Sequence, residues 1–76
     1  MNRTQVAKVW LDEDAVWIEL NDGRIAKEYF ADYYGFASST SSQRQNYRLS
    51  HFGIHWPEID EDLSYAGFFE SIKRNL

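Results

Sequence analysis

Residues 53–62, GIHWPEIDED, bring together side chains that suit acid–base or metal chemistry. One histidine, one tryptophan, the only proline and four carboxylates stand within ten residues. Such a group suits a metal site, an acid–base pair, a docking surface or the approach to a helix. Each use places a different demand on the elements that position these side chains.

A metal site is disfavoured by the spacing. His51 and His55 are four residues apart, but Gly53 lies between them in a strand-like pattern, so the two imidazoles need not share a face as they would on a helix. Asp60 and Asp62 add oxygen ligands at no spacing typical of zinc. The acids also lack the Asp-x-Asp-x-Asp-Gly pattern of calcium loops. We therefore expect no metal and no cofactor.

Catalysis is disfavoured as well. General acid–base work requires one of two carboxylates to have its pKa raised by burial, whereas these acids adjoin one another in an exposed type of segment. The serines cluster in the low-complexity stretch 38–42, without the pattern of a nucleophile elbow. We predict that the chain is not an enzyme.

The acids also precede a predicted helix. Asp60, Glu61 and Asp62 come just before Ser64, a good N-cap residue, where a helix dipole favours carboxylates by about 0.3–1 kcal/mol each. That effect fades within a turn, and like charges repel each other. Four acids thus exceed what a helix start requires, which favours a docking surface.

Charge points to a protein partner. The net charge is −4, from eight basic and twelve acidic residues. Outside residues 53–62 the two signs balance, so the negative charge is local and favours a basic partner. Trp10 and Trp17 face away from Val9 and Ile18; they are either exposed hot-spot residues or covered by residues 31–49. The predicted partner-binding residues are His55, Trp56, Glu58, Asp60, Glu61, Asp62, Trp10 and Trp17.

Nucleic acid binding is the weaker alternative. Arg44 and Arg48 are four residues apart near a predicted helix over residues 41–47, with Tyr47 between them, and form a stackable basic–aromatic group. A solvated helix face with a core tyrosine explains the same residues. Two arginines release few counterions, and the acidic segment opposes phosphate. Nucleic acid is therefore disfavoured as a partner.

The first thirty residues predict a three-stranded antiparallel meander. Residues 4–11 and 15–20 alternate between apolar and polar side chains, as half-buried strands do. Asp22 and Gly23 predict a two-residue hairpin turn, which would pair Leu20 with Ile25 and place Lys27 on the apolar face.

The rest of the chain predicts a short helix, a strand and a final helix. Thr40 and Gln43 fit a capping box, with Tyr47 and Leu49 supplying the packing. Phe52, Ile54 and Trp56 alternate as a strand at the sheet's edge, which Pro57 should end. From Ser64 onward, apolar residues recur at helical spacing and form a stripe on one face of the predicted helix. The stripe consists of Tyr65, Phe68, Phe69, Ile72 and Leu76. Lys73 and Arg74 lie in the last turn.

The predicted fold class is α+β, in the order β-β-β-α-β-α, with the C-terminal helix packed on the sheet. We expect a single domain over residues 1–76. The chain has no cysteines, and its small aromatic core contributes about 3–5 kcal/mol net to the free energy of unfolding. This small margin leaves room for further stabilisation by a partner or by homodimerisation. No apolar run approaches the roughly 20 residues of a membrane helix, and no signal-type block follows Met1. The expected location is the cytoplasm.

Residues 43–69, QRQNYRLSHFGIHWPEIDEDLSYAGFF, resemble the bacterial family called domain of unknown function 2442. The matching features are Asp22-Gly23 in the hairpin turn, Gln43-Arg44 in the short helix, and the signature over residues 53–64. Residues 31–42 depart from the family pattern, in which a proline-containing segment is common.

The resemblance implies a small α+β domain of no established activity. Members occur alone or fused to a helix-turn-helix, often beside another small protein in pairs of the toxin–antitoxin type. The implied partner is the product of the adjacent gene, and with 76 residues we expect an antitoxin-like role to operate through that partner rather than an operator. The site residues that the resemblance implies are the ones that match the family signature: His55, Trp56, Glu58, Asp60, Glu61 and Asp62. The alternative is a structural domain whose signature serves only the fold.

Overall fold

The computed structural model describes residues 5–74, and their side chains as far as residue 69. The predicted α+β class and β-β-β-α-β-α order are confirmed, with short elements added. The elements are β1 (Val6–Leu11), β2 (Ala15–Leu20), β3 (Ile25–Tyr29), a 3-10 helix (Phe30–Asp32), α1 (Tyr34–Ala37), α2 (Ser41–Gln45), β4 (Arg48–Leu49), β5 (Gly53–Trp56), β6 (Glu61–Ser64) and α3 (Tyr65–Arg74). None of the helices in this part of the chain is long and apolar enough to cross a membrane.

The first sheet is the predicted meander, in the order β1-β2-β3, but its second turn is one residue longer than expected. The Leu20 N–H donates to the Arg24 carbonyl at 2.8 Å, and the Gly23 N–H donates to the Leu20 carbonyl at 2.9 Å. Gly23 has a φ of 93°, the left-handed conformation that ends a three-residue hairpin loop. The predicted two-residue turn is therefore wrong.

This extra residue exchanges the two faces of β3, because side chains alternate along a strand. Ala26, not Lys27, lies opposite Ile18 and is buried. Lys27 lies opposite Trp17 on the outer face of the sheet. The prediction that Lys27 packs beside Ile18 is wrong for this reason.

A β-bulge adjusts β1 in a similar way. The pairing with β2 shifts between Val6 and Lys8, which leaves Ala7 as the extra residue. Val6 and Val9 consequently both pack against the core, whereas Ala7 is exposed. Simple alternation along a strand would place Val6 and Val9 on opposite faces.

The predicted strand before Pro57 is present as β5, but it lies at the centre of a second antiparallel sheet, in the order β4-β5-β6. It does not extend the edge of the first sheet. The residues expected to lead directly into the last helix form β6 instead, and pairing across a short turn costs less loop-closure entropy than pairing with a distant strand. Leu49 and Phe52 were expected to pack, but they are 56% and 83% exposed.

The hydrophobic core draws on the inner faces of both sheets and on the helices. Its largest fully buried side chains include Trp56, Phe36 and Phe68. The rings of Phe36 and Trp56 meet edge to face, with centroids 4.9 Å apart, a favourable arrangement for aromatic pairs. The cluster comprises Val16, Ile18, Leu20, Ala26, Phe30, Phe36, Ile54, Trp56, Leu63 and Phe68.

The last helix, α3, packs against β3, β5 and β6. Its predicted N-cap is confirmed, since the Ser64 hydroxyl accepts the Gly67 N–H at 3.0 Å. Within the predicted stripe, Phe68 is buried, and Tyr65 and Phe69 pack against the core. The predicted roles of the side chains of Ile72, Lys73, Arg74 and Leu76 fall outside the described side chains.

The segment between the sheets contains the helix α1, which the pattern does not predict, because four residues are too few to show a period. Its residue Phe36 packs against Phe30 with ring centroids 4.8 Å apart. The capping box is confirmed at α2: the Gln43 N–H donates to the Thr40 hydroxyl at 3.1 Å, and the Thr40 N–H donates to the Gln43 side chain at 2.9 Å. The helix then ends at Gln45 instead of residue 47.

Glu28 is a buried carboxylate that the sequence pattern does not reveal. The register change at the second turn places it on the inner face opposite Val16, where it is only 5% exposed. The Tyr33 hydroxyl donates a hydrogen bond to it. A buried polar group needs such a partner, because leaving it unpaired is costly.

Replacing Tyr33 with Phe is expected to lower the free energy of unfolding by about 1–3 kcal/mol, because the Glu28 carboxylate loses a donor in a buried site. Urea denaturation measures the change. Tyr34→Phe is the matched control, since Tyr34 is 95% exposed and its hydroxyl adds little. Equal stabilities of the two variants would show that the hydrogen bond contributes nothing.

Candidate functional site

The acidic signature forms the β5–β6 hairpin, and the shape of its turn accounts for Asp60. Trp56 lies opposite Glu61 across the hairpin, so residues 57–60 make the turn. Asp60 has a φ of 53°, in the left-handed region. Asp and Asn visit this region more readily than other non-glycine residues, because their short side chains can hydrogen-bond locally. The turn geometry alone therefore favours Asp or Asn here.

Glu61 is directed toward α1. Its Oε2 atom accepts the Gly35 N–H at 2.7 Å, at the start of that helix. A Cβ on residue 35 would lie 2.3 Å from the same oxygen, so glycine permits this approach. The sequence pattern had assigned Glu61 to the start of α3. In the structure, its carboxylate instead accepts a hydrogen bond from the backbone of α1, at a residue 26 positions earlier in the chain.

Glu58 and Asp62 are exposed, but both have partners within the chain. Glu58 accepts a hydrogen bond from the Asn46 side chain at 2.6 Å. Asp62 Oδ1 lies 2.6 Å from His55 Nδ1, and their side chains are 75% and 44% exposed. Arg48 pairs with His55 from the other side, so Arg48, His55 and Asp62 form a polar row on the outer face of the second sheet.

Trp56, predicted as a partner-binding residue, is a core residue. Its exposure is 0%, and its indole N–H donates to the Arg44 carbonyl at 2.8 Å. A side chain with no accessible surface cannot contact a partner of the folded protein. Its position in the signature is therefore explained by packing.

The alternative basic–aromatic group for nucleic acid is not assembled. The Arg44 guanidinium lies 4.5 Å from the Phe30 ring centroid and donates to the Phe36 carbonyl at 2.9 Å. Tyr47 packs toward the core, with its ring 6.0 Å from that of Trp56. Arg48 lies in β4 and is exposed. Because α2 ends before Tyr47, the three residues share no helix face.

The histidines do not join the acids in a metal-binding cluster. Within the described part of the chain, no three His, Asp or Glu side chains are grouped so that they could hold an ion. His51 lies in the turn before β5, and His55 lies within that strand. His55 and Asp62 form a two-residue pair in this hairpin, with Nδ1 and Oδ1 2.6 Å apart.

The outer face of the first sheet carries the other predicted binding residues. Trp10 and Trp17 lie directly opposite each other, stacked with centroids 5.9 Å apart and planes within 5°. The Lys27 amine lies 4.8 Å from the Trp17 ring and 4.7 Å from the Tyr29 ring, within the range of cation–π attraction. We call the following residues the aromatic face: Lys8, Trp10, Trp17, Ile25, Lys27 and Tyr29.

The two tryptophans, for which two arrangements were left open, are neither fully exposed nor part of the core. Trp10 and Trp17 are half-buried, but they belong neither to the core nor to the side chains packed against it. The middle segment places Tyr33, Phe36 and Tyr47 on the core instead. The nearest cations are lysines, whereas the signature acids lie on the second sheet. The expected single acidic–aromatic surface is thus divided into two features of the fold.

Asp12 holds the aromatic face in place. One of its carboxylate oxygens accepts the N–H groups of Asp14 and Ala15 at 2.9 and 2.8 Å, and the other accepts the Trp17 indole N–H at 2.8 Å. These hydrogen bonds, led by that of Asp14, hold the pKa of Asp12 below its usual value. The turn between β1 and β2 therefore orients Trp17 through an ionised carboxylate.

The indole N–H signal of Trp17 is expected to titrate with a midpoint below pH 3.8, the usual carboxyl value. Because the folded-state pKa of Asp12 is lowered, the stability that its ionised form contributes is complete above the unfolded-state pKa. That stability is lost as the pH falls through the folded-state value. An NMR titration measures the midpoint; Asp12→Asn should abolish the step, and the Trp10 indole is the internal control. A midpoint at or above 3.8 would contradict the assignment.

Comparisons with known proteins agree with this fold. The profile of a family described as protein of unknown function (DUF2442) matches residues 6–74. The fold is also similar to the crystal structure of a protein of unknown function from Rhodospirillum rubrum ATCC 11170, with a TM-score of 0.74. The two sequences are 23% identical, and the matched residues cover 92% of this chain and 89% of the other. At this identity the likeness shows the fold alone. No curated protein matches. Because the family match spans most of its residues, the chain belongs to the DUF2442 family, whose function is unknown.

Proposed function

We propose that this chain is a protein-binding accessory module, without enzymatic activity, that contacts its partner through the aromatic face. The observation that carries the proposal is the Trp10–Trp17 stack, which the fold holds outside the core. Tryptophan is enriched among residues that dominate binding energy. Ile25 and Tyr29 extend the apolar area, being 49% and 46% exposed.

The aromatic face is pre-organised, which supports a binding role. The hydrogen bond from the Trp17 indole to Asp12 and the lysine contacts on the rings restrict these side chains before any partner arrives. Side chains that are already ordered lose less conformational entropy on binding. A surface of this kind suits recognition better than does a flexible one.

The charge on the aromatic face favours a partner that presents carboxylates. Lys27 lies opposite Trp17 on β3, Lys8 lies two residues before Trp10 on the same face of β1, and Glu19 lies opposite Lys8. The signature acids had predicted a basic partner, whereas the lysines of the aromatic face favour an acidic one. Since Trp56, Asp60 and Glu61 have structural roles, we assign the signature to the fold rather than to docking.

In the antitoxin-like form of this proposal, the partner is the product of the adjacent gene and binding takes place in the cytoplasm. Co-expression and co-purification with that product is the direct test. We expect Trp17→Ala to weaken binding by about 30-fold or more, the effect of losing a hot-spot residue worth about 2 kcal/mol. Lys27→Glu should weaken it as well.

Arg48→Glu is the matched control for Lys27→Glu, because Arg48 is an exposed cation on the second sheet. A combined Glu58→Gln, Asp60→Asn and Asp62→Asn variant tests the acidic surface. If this variant loses the partner while Trp17→Ala retains it, the aromatic face is not the binding surface and the proposal fails. Melting temperatures of all variants separate lost binding from lost folding.

A further inference from the structure

A second candidate site lies beside the start of α3, away from the aromatic face. It is a groove of about 520 Å³, open to solvent on one side. The floor includes Val6, Leu20 and Phe69, and the rim includes Arg24 and Phe52. A volume of 300–1,000 Å³ with an apolar floor and a few polar groups is typical of binding sites.

The backbone of Phe52 is held in a hydrogen-bonded turn at the rim, where the residue is 83% exposed. The Ser50 hydroxyl accepts the N–H groups of Phe52 and Gly53, each at 3.2 Å. The Ser50 N–H in turn donates to the Gly53 carbonyl at 2.9 Å. These hydrogen bonds fix the turn from which the exposed phenyl side chain projects beside an apolar groove, and an exposed apolar patch of this kind marks interaction sites.

Arg24 gives the groove its charge. Its guanidinium lies 5.5 Å from the Phe69 ring centroid, which keeps it above the apolar floor. Asp22 binds the Nε atom at 3.0 Å, and a guanidinium has five N–H donors, so donors remain for a further carboxylate. His51 adds a second basic group to the lining. A complementary ligand therefore carries an anionic group next to an apolar group.

We propose that this groove binds a segment of a partner protein in which a bulky apolar side chain adjoins a carboxylate-bearing residue. The apolar side chain occupies the space between Phe52 and Phe69, and the carboxylate pairs with Arg24. A protein segment fits better than a free small molecule, because the open groove would leave much of a small ligand in water, whereas a segment also covers Phe52. This contact does not depend on the aromatic face.

NMR titration with the peptide acetyl-Ser-Phe-Glu-Ser-amide tests the proposal. We expect shift changes at Val6, Leu20, Phe52 and Phe69. Replacing the peptide's Glu with Gln should weaken binding about tenfold, as should Arg24→Gln in the protein, since each loses a charge-assisted hydrogen bond. Replacing the peptide's Phe with Ala should abolish binding.

Three protein variants complete the test. Ala66→Phe places a ring in the groove from an exposed lining position and should abolish binding, whereas Arg48→Gln, outside the groove, should leave it unchanged. Trp17→Ala should also leave it unchanged, which separates this site from the aromatic face. Equal binding of the Glu and Gln peptides, shift changes confined to the aromatic face, or tighter binding of decanoate than of the peptide would each overturn the proposal.

Discussion

Trp56→Ala is expected to lower the free energy of unfolding by about 3–5 kcal/mol, the usual cost of truncating a large buried aromatic residue. Trp56 is fully buried, and its ring packs against those of Phe36 and Tyr47. It also supplies a hydrogen bond to the Arg44 carbonyl. Because a core of this size contributes about the same amount in total, the variant should be largely unfolded in water.

Urea denaturation followed by far-UV circular dichroism measures this loss without relying on tryptophan fluorescence. Trp56→Phe keeps an aromatic ring but removes the donor to Arg44, and we expect it to lose about 1–3 kcal/mol. Trp10→Ala is the matched control, since Trp10 lies outside the core. If Trp56→Ala were as stable as Trp10→Ala, the assignment of Trp56 to the core would be wrong.

Gly53→Ala is expected to lower the free energy of unfolding by about 3 kcal/mol, at the upper end of the range for overpacked positions. A Cβ on residue 53 would lie 2.2 Å from the Leu63 carbonyl oxygen and 2.9 Å from the Ser64 Cα. Both are backbone atoms of β6, so no side-chain rotation relieves the contact. The two strands would have to separate at the point where β5 begins.

Gly23→Asn is the control for this substitution. Residue 23 has open space around it but a positive φ, so Asn, which tolerates that conformation, should cost much less than Ala costs at residue 53. Thermal melts of both variants compare a steric clash with a conformational preference. A Gly53→Ala variant that melts close to the native protein would show that the hairpin yields easily.

Trp56→Ala and Gly53→Ala both change the signature of residues 53–64, which also contains Asp60 in its left-handed turn and Glu61, whose carboxylate accepts the Gly35 N–H. The signature therefore builds the second sheet and joins it to α1. Stability experiments should respond strongly to these residues. Binding experiments should respond mainly to the aromatic face and the groove.

Much of the fold is predictable from the sequence where the signal is local. The alternation of β2 places Val16, Ile18 and Leu20 on the buried face. Thr40 and Gln43 form the expected capping box. These features depend on residues a few positions apart, whose geometry is nearly the same in any protein that contains them.

The predictions that failed involve contacts between distant or displaced segments. The one-residue longer loop at Gly23 moves Lys27 outward and Glu28 inward, although the residue types suit either turn. The apolar alternation of Phe52, Ile54 and Trp56 correctly suggests a strand but does not reveal which strand pairs with it. Phe52 consequently became exposed although its type and position suggested burial.

The chain's own pattern thus determined its first three strands, the end of β5 at Pro57, the caps of α2 and α3, and the residues of its family signature. Only the tertiary structure decided that Glu61 reaches Gly35, 26 residues earlier, that Trp56 lies in the core, and that the tryptophans and the acids belong to different sheets. The physical reason is that a hydrophobic period specifies which side of an element is buried. It does not specify the partner element or the direction of a charged side chain, which depend on packing across the whole domain.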